Sequence, residues 1–555
     1  MSGCALPLIV GGHSADTVVS DSYHSAFDAP ESKSLYFYGR ARLQLARGDL
    51  SAAFRSMQQA VDADPESIYL RKFFIELALR SEAYPAALEA AEIVDQLDPD
   101  NLETLWQLGT LAFRTGHYQD AVRYFERLVI LSPEIEKPYI HLALAYDKQE
   151  NFSAAEATLR RLLKLNPATL TGRMVLARIL LKENSPAAAE KVLREILTDQ
   201  PDYEPAVIDL AVMLNERGEF AAAERLLNTA IKSTDDSTPL RRKLIDLYIE
   251  RDLRSEAKRE LKLLLVAAPL DLEAHRKLGL LEIEDDHYQA AAASFATILA
   301  VNPDLTEIRY YYGSALERDE RYSEALDAFV SIPEDSSLYL DSLYHRGFLY
   351  HVLQQRDAAI ATFREIIAHP DARAEVYSAL ASVYESEGDY SAAIAILDQG
   401  LERFPETVDL LYHQGVVLEQ MKQRDRAREV MQQVLLLEPK HADALNYVAY
   451  SYAEEGIMLE EALRMAQEAY ALNQGAHIAD TIGWIYFKSG RLEEARRALE
   501  KVILELPDDM VVTEHLADIC RAMGDGERAR ALYEKIIARV PAETKRIRQK
   551  LEALP

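Results

Sequence analysis

The sequence predicts an all-α solenoid built from about fifteen helix-turn-helix units and closed by a capping helix. Prolines recur at an interval of 34 residues, at Pro65, Pro99, Pro133, Pro167 and Pro201. The same phase holds at Pro269, Pro303, Pro405, Pro439, Pro507 and Pro541. The composition is 49% hydrophobic and 28% charged, which favours long amphipathic helices over a disordered chain.

The unit from residue 102 to residue 135 shows the pattern within one interval. Two stretches carry apolar residues three and four positions apart, which is the spacing of a helix. Gly116 separates the stretches, and Pro133 ends the second one. Gly109 and Ala121 are small, which predicts that the two helices cross closely at these positions.

This unit resembles the tetratricopeptide repeat in its length and in the places of its small and aromatic residues. The small residue expected at the eighth position is glycine in six units, at Gly109, Gly279, Gly313, Gly347, Gly415 and Gly483. The alanine expected at the twentieth position is present in fourteen units. The resemblance implies a right-handed solenoid with units that begin at about Ser34, Ile68, Leu102, Glu136, Leu170, Glu204, Thr238, Leu272, Thr306, Leu340, Ala374, Val408, Ala442, Ala476 and Met510.

Two departures from the repeat bear on the domain organisation. Ile332 and Pro333 cut one helix short, so we expect a joint there. One extra residue after Gly456 delays the alanine of its unit to Ala462. We therefore expect a polar N-terminal tether, a first and a second solenoid segment and a capping helix, at residues 1–33, 34–332, 333–541 and 542–555.

The charge balance limits the classes of partner. The chain has 62 Lys and Arg residues against 91 Asp and Glu residues, a formal net charge of −29. Such a charge repels a phosphate backbone, which argues against nucleic acid as the main partner. No stretch approaches the ~18 consecutive apolar residues that a membrane-spanning helix needs.

The first residues resemble a signal for lipidation and membrane anchoring. Ser2, Gly3 and Cys4 resemble the end of a bacterial lipobox, although no basic segment or apolar region precedes them. The resemblance implies a lipid on Cys4 and a protein anchored to the outer membrane on its periplasmic side. In that case the chain begins just inside a signal peptide. The alternative is a chance match on a cytoplasmic protein.

No motif in the sequence carries catalytic chemistry. We find no nucleotide-binding loop, zinc-binding histidine pair, nucleophile elbow or kinase signature, so we expect no catalytic residues, metal site or cofactor. Cys4 and Cys520 are the only cysteines, which excludes a disulfide framework. Cys520 falls in an apolar helical phase and is expected to be buried. The thirteen histidines are scattered and are more simply surface or packing residues.

The family resemblance also implies where protein partners or extended peptides bind. In that family the first helix of each unit faces a concave groove, where its second, fifth, ninth and twelfth residues are most exposed. Aromatic and arginine side chains are effective anchors of protein interfaces. The alternative for the tyrosines is packing between helices. The candidate groove residues are Arg242, Arg276, Tyr310, Tyr344, Phe348, His351, Tyr412, Asn446, Tyr450, Trp484 and Phe487.

The last third of the chain has a narrower resemblance. Residues 444–450, 456–462 and 480–486 resemble a block found in bacterial repeat lipoproteins. Some of these are outer-membrane adaptors that assemble a carboxy-terminal processing protease and deliver its substrates. The resemblance implies a non-catalytic adaptor. The alternatives are a cytoplasmic scaffold, or the recognition subunit of an enzyme complex with a separate catalytic chain, such as a glycosyltransferase or a polysaccharide-export system.

Overall fold

A computed structural model describes residues 29–539 and 544–554. Within these ranges the chain forms thirty-one α-helices and no strand, which confirms the predicted all-α solenoid. The chain divides into two compact units, residues 1–267 and 268–555. The predicted lipidation site Cys4 and most of the predicted tether lie outside the described residues.

The first unit contains seven consecutive helix pairs in its described part. Each pair consists of two helices joined by a short turn, and each packs on the next. The helices are α1 (Pro30–Ala46), α2 (Leu50–Ala63), α3 (Ile68–Arg80), α4 (Tyr84–Leu97), α5 (Leu102–Arg114), α6 (Tyr118–Leu131), α7 (Glu136–Lys148), α8 (Phe152–Leu165), α9 (Leu170–Lys182), α10 (Pro186–Asp199), α11 (Glu204–Glu216), α12 (Phe220–Ser233), α13 (Thr238–Glu250) and α14 (Arg254–Ala267).

The second unit contains eight further pairs and a final single helix in its described part. The pairs are α15 (Leu272–Glu284), α16 (Tyr288–Val301), α17 (Thr306–Arg318), α18 (Tyr322–Val330), α19 (Tyr339–Val352), α20 (Arg356–Ala368), α21 (Glu375–Ser386), α22 (Tyr390–Arg403), α23 (Val408–Gln420), α24 (Arg424–Leu437), α25 (Ala442–Glu455), α26 (Leu459–Leu472), α27 (Ala476–Lys488), α28 (Leu492–Glu505), α29 (Met510–Ala522) and α30 (Gly526–Arg539). The final helix is α31 (Thr544–Glu552).

The predicted unit starts agree closely with the observed helices. Twelve of the fifteen starts coincide with the first residue of a helix, and α19 and α21 begin one residue from the predicted position. The first helix begins at Pro30, ahead of the predicted Ser34, so the predicted tether is shorter at its end. Proline is favourable in the first turn of a helix because its φ is already helical, and Glu31 in that turn complements the helix dipole.

The glycine at the eighth position lets the two helices of a pair approach. A Cβ atom added to Gly109 would lie 2.6 Å from the ring of Phe125 on the second helix, and one added to Gly347 would lie 2.7 Å from the Phe363 ring. Both phenylalanine side chains are buried. The prediction of close crossing at Gly109 is therefore confirmed, and the aromatic side chain occupies the space that the glycine leaves.

The prolines of the 34-residue period also anchor the helix that follows them. In four units the proline carbonyl oxygen accepts a hydrogen bond from a side chain six residues later, near the start of the next helix. The pairs are Pro65 with Arg71, Pro167 with Arg173, Pro269 with His275 and Pro303 with Arg309. Proline thus ends one helix through its ring and helps to position the next through its carbonyl group.

The two sequence departures appear as local changes of the helices. Helix α18 ends at Val330 after nine residues, as the Ile332–Pro333 pair predicted. The turn after α25 contains two left-handed residues, Gly456 with φ 71° and Met458 with φ 47°. The boundary between the compact units follows Ala267, so the boundary predicted after residue 332 lies inside the second unit. A bend at residues 332–340 stays a prediction.

The last helix covers the end of the second unit. Ile547 is fully buried, and Leu551 and Leu554 pack against the same apolar cluster. Lys550 Nζ lies 2.6 Å from Glu514 Oε1 on α29, and Arg546 pairs with the same carboxylate. Helix α31 is therefore the predicted cap, held by apolar burial and by ion pairs.

We expect the attachment of the cap to weaken at acidic pH. Burial acts to raise the pKa of the Glu514 carboxyl, but hydrogen bonds from Arg546 and Lys550 outweigh it and hold this pKa below its ordinary value. The pairing therefore stabilises the cap above the unfolded pKa of about 4.3, and this contribution is lost as the pH falls through the lower folded pKa.

The measurement is hydrogen exchange of residues 526–554 in the wild type and in Glu514→Gln, compared at equal pH. The difference in protection should be largest near about pH 6 and should vanish near about pH 3. A difference that stays constant over this range would contradict the assignment.

Cys520 is buried on α29, as predicted, and burial raises the pKa of its thiol. Among the residues that the structure describes, no helix is both long enough and apolar enough to cross a membrane.

Candidate functional site

The candidate groove residues all lie on the first helix of their pairs. Arg242 belongs to α13 of the first unit, where it is exposed. The other ten belong to the second unit. Arg276 on α15 is half-buried, and its Nη2 atom lies 2.8 Å from Glu273 Oε1 on the same helix. Their role in partner binding stays a prediction.

Tyr310 is joined to the following pair of helices. Its hydroxyl lies 3.0 Å from Nε2 of His345 on α19, and the two rings are in edge contact. Burial raises the pKa of Tyr310. These contacts give Tyr310 a packing function between helices, which is the alternative that its position left open.

Helix α19 carries three candidate residues, Tyr344, Phe348 and His351. Tyr344 is half-buried, with its ring centroid 6.0 Å from that of Phe363. Phe348 is 42% exposed, which is a high value for a phenylalanine side chain. Of these three residues, Phe348 therefore offers the most apolar surface to a partner.

Trp484 differs from the exposed position that the pattern predicted. Its side chain is only 7% exposed, because the ring of His515 from α29 stacks on it with a centroid distance of 4.0 Å. The Phe487 ring covers it at 4.9 Å. The indole N–H donates to Glu454 Oε1 at 2.7 Å. Trp484 is thus part of the interior of this region.

The buried histidine beside Trp484 is held by a carboxylate. His515 Nδ1 lies 3.0 Å from Asp480 Oδ1, and both side chains are buried. The Tyr450 ring lies 6.4 Å from the His515 ring. Both carboxylate oxygens of Asp480 lie within hydrogen-bond distance of His515 Nδ1, which lowers the cost of burying this pair.

Three candidate residues converge on one cavity. Tyr412 on α23 and Asn446 and Tyr450 on α25 line a pocket of about 260 Å³, which we call the Asn446 pocket. Its wall also includes Glu419, Gln420, Asp443, Tyr447 and His477. The Asn446 Oδ1 atom is buried, and no donor in the described part of the chain reaches it. The wall of the pocket thus includes a residue whose buried acceptor has no partner in the described part of the chain.

The polar groups of the Asn446 pocket are only partly engaged. The Tyr447 hydroxyl donates to Glu419 Oε2 at 2.6 Å, and His477 Nε2 lies 3.5 Å from Asp443 Oδ1. Burial raises the pKa of Tyr412 and, more strongly, that of Tyr450. Both tyrosines are therefore neutral at pH 7 and present rings and hydroxyl donors.

Two family models, each described as tetratricopeptide repeat, match the chain. One matches residues 74–134, 141–204, 276–337 and 349–406, and the other matches residues 180–242, 384–449 and 486–554. Together these matches cover more than half of the sequence. The chain belongs to the tetratricopeptide repeat (TPR) family.

Other proteins are similar to parts or to most of the chain. A TPR repeat-containing protein of Pseudomonas aeruginosa is 28% identical over 150 residues, which are 27% of this chain and 25% of that protein. The chain thus spans about a quarter of the length of this curated relative. The solved APC/C hetero-tetramer Cut9–Hcn1 is 14% identical, covers 91% of this chain and 99% of that one, and has a TM-score of 0.35.

Two other solved structures are also similar to this chain. Naa15/Naa10 bound to HypK-THB is 14% identical, covers 92% of this chain and 84% of that one, and has a TM-score of 0.31. A TPR protein from Parabacteroides merdae is 16% identical, covers 51% of this chain and 99% of that one, and also has a TM-score of 0.31.

Membership of the TPR family gives the class of function. The TPR fold is generally a non-catalytic scaffold, and TPR proteins bind protein partners. For this chain, family membership supports a role as a protein–protein interaction scaffold.

Successive TPR units share a side-chain connection that the sequence reading missed. The Ser378 hydroxyl lies 2.7 Å from Nδ1 of His413 in the next unit, and His413 Nε2 contacts Glu385. Tyr310, His345 and Glu317 repeat this arrangement two units earlier, with 2.7 Å between His345 Nδ1 and Glu317 Oε2. The signal was present in the sequence as a histidine 35 residues after a hydroxyl residue and 28 residues after a glutamate.

The order hydroxyl, histidine and carboxylate also occurs in catalytic triads. Here the same three places recur with the TPR period, once with serine and once with tyrosine. The repeat itself therefore accounts for the geometry, and the connection joins neighbouring units.

Proposed function

We propose that this TPR protein is a non-catalytic adaptor that holds an extended segment of a partner protein against α23, α25 and α27 of its second unit. The Asn446 pocket supports this proposal most directly. It places the predicted groove residues Tyr412, Asn446 and Tyr450 around one cavity with an unpartnered acceptor. An extended segment carries unpaired backbone donors, which the partly exposed carboxylates of Glu419 and Asp443 in the same wall can accept.

The chemistry of the surface suits a segment of protein chain. The tyrosine rings bury area with little loss of side-chain freedom, and the surface is formed before the partner arrives. Only the partner then pays the entropic cost of ordering. The absence of a catalytic role is part of the proposal, and purified protein that turned over a substrate alone would contradict it.

Site-specific photo-crosslinking tests the location of the surface. We expect a photoreactive amino acid at Gln420, which is exposed at the pocket, to capture partner proteins in cells. The same amino acid at Leu436 serves as the control, because this residue is 82% exposed on α24 but does not line the pocket. Equal capture at the two positions would remove the basis of the assignment, and mass spectrometry of the product identifies the partner.

The place of the protein in the cell is a second part of the proposal. The Ser2-Gly3-Cys4 sequence supports a lipid on Cys4 and anchoring to the outer membrane on its periplasmic side. Mass spectrometry of the N-terminal peptide from the native host should show a lipid on Cys4 that is lost in Cys4→Ser. An unmodified Cys4 in a soluble fraction would instead favour the cytoplasmic scaffold.

The narrowest part of the proposal concerns the enzyme that the adaptor serves. The resemblance of residues 444–450, 456–462 and 480–486 to repeat lipoproteins supports assembly of a periplasmic protease and presentation of its substrates. The crosslinked partner from the Gln420 position decides this. A protease chain supports it, whereas a glycosyltransferase or polysaccharide-export chain would replace it with the recognition subunit of a different enzyme complex.

A further inference from the structure

We propose that the Asn446 pocket receives an arginine side chain of the partner segment. This inference rests on the proposed function, because it names the group by which the partner enters the pocket. It follows from the acceptors, the charge and the rings that line the cavity.

Two partly exposed carboxylates, those of Glu419 and Asp443, provide hydrogen-bond acceptors in the wall of the Asn446 pocket. Asn446 Oδ1 is buried and unpartnered within the described residues. Glu419 accepts the Tyr447 hydroxyl on one oxygen and lies 3.5 Å from Arg424 Nε through the other. Asp443 has His477 at 3.5 Å. Since a carboxylate can accept about four hydrogen bonds, both groups keep acceptor capacity for a ligand with several donors.

The charged side chains that line the pocket are negative. In the described structure its lining residues include Glu419 and Asp443 but no lysine or arginine. Burial is the largest cause of the raised pKa of both Tyr412 and Tyr450, and nearby carboxylates raise it further. Asp443 acts on Tyr412. Glu454 and Asp480 act on Tyr450, and Arg424 opposes them with a smaller effect. A potential that disfavours a phenolate favours a cation at the same place.

The aromatic walls select guanidinium over ammonium. Tyr412, Tyr447 and Tyr450 surround the cavity, and a planar guanidinium can stack on a ring while its donors reach acceptors in different directions. The chain uses this pairing elsewhere. Arg114 lies over the Tyr84 ring at 4.5 Å, and Arg491 lies over the Tyr486 ring at 4.5 Å. A lysine ammonium is a compact, strongly hydrated charge and gains less from such walls.

The test uses synthetic nonapeptide pools that differ only at the central residue. The flanking positions are mixed, and the centre is arginine, citrulline, lysine or leucine. Citrulline keeps the shape of arginine but is neutral. We expect the arginine pool to bind the full chain about tenfold more tightly than the citrulline pool, as measured by fluorescence anisotropy, since a charge-assisted hydrogen bond is worth about that much.

Two variants separate the pocket from general attraction to an acidic protein. Asp443→Asn should remove most of the preference for arginine over citrulline. Asp409→Asn is the matched control, because Asp409 also lies in the first turn of its helix, one unit earlier, but does not line the pocket. It should leave the preference unchanged. Glu419→Gln, which retains an acceptor for Tyr447, is a second variant with the same expected loss. Circular dichroism melting checks that each variant is folded.

The outcomes distinguish this inference from the proposed function. Equal binding of the arginine and citrulline pools overturns the arginine pocket and leaves the groove in place. Equal binding of arginine and lysine pools also overturns it, in favour of a site for any cation. If no pool binds at all, the proposal of an extended partner segment fails together with the arginine pocket.

Discussion

Replacing Trp484 by alanine will destabilise the second unit by about 3–5 kcal/mol, the usual cost of removing a buried tryptophan. The indole is almost fully enclosed by His515 and Phe487. Its loss leaves a cavity and deprives Glu454 of a hydrogen bond. The effect will be concentrated in α25–α30, because each helix pair of a repeat protein contacts chiefly its neighbours.

Hydrogen exchange of residues 442–539 is the appropriate measurement, since unfolding of a long repeat array need not be a single cooperative step. Phe348→Ala is the control. It also removes an aromatic side chain from the first helix of a unit, but one that is 42% exposed rather than 7%. Its effect on protection should stay within about 0.5 kcal/mol. Trp484→Ala with unchanged protection would show that the stacked arrangement is absent in solution.

This expectation also changes how binding should be tested. Reduced partner capture by Trp484→Ala would reflect loss of structure in the second unit as much as loss of a contact. The exposed ring of Phe348 and the edge of the Asn446 pocket at Gln420 are better probes, because their replacement leaves the interior intact.

The sequence predicted the fold almost completely, because each repeat contains the same signals for two helices, a turn and a helix end. The unit that begins at Leu102 shows the helical spacing, the turn at Gly116 and the closing proline, and most predicted starts are helix starts. The exact division of the chain at Ala267 could not be predicted in this way. The prolines of the period continue in the same phase on both sides of Ala267, so the sequence pattern does not mark a division there.

The sequence predicted which helices carry the candidate residues, but not whether each side chain is exposed or covered by a neighbour. The repeat assigns Tyr310, Tyr412 and Trp484 to equivalent faces, yet Tyr310 bonds to His345, Tyr412 lines a pocket and Trp484 is covered by His515. In each case the deciding side chain comes from a later unit or a neighbouring helix. A rule that considers one unit at a time cannot distinguish an exposed aromatic residue from one that the next unit buries.

In each of two units, the eighth residue on the first helix faces the residue sixteen positions later on the second helix. This contact predicts a second large effect on stability. Gly347 faces Phe363 in one unit, whereas Ile75 and Ala91 occupy the same two places in another and are both fully buried. Small and large residues have thus exchanged places between two units of one chain. In the first arrangement the large side chain comes from the second helix of the unit, and in the other it comes from the first helix.

We therefore expect Gly347→Ile to destabilise α19–α20 by about 3 kcal/mol through overpacking against the Phe363 ring. Phe363→Ala alone should cost about 3–5 kcal/mol, because it leaves a cavity opposite the glycine. The double variant recreates the Ile75–Ala91 arrangement. It should be more stable than the sum of the single changes predicts by about 2–3 kcal/mol.

Hydrogen exchange of residues 339–368 in the four proteins of this cycle measures the coupling. A control cycle combines Gly347→Ile with Phe295→Ala, in which the phenylalanine faces Gly279 and not Gly347. The control cycle should be additive within about 0.5 kcal/mol. Additivity in both cycles would mean that the helices adjust their separation freely. The eighth residue would then have no steric role, and the glycines of this repeat would need another explanation.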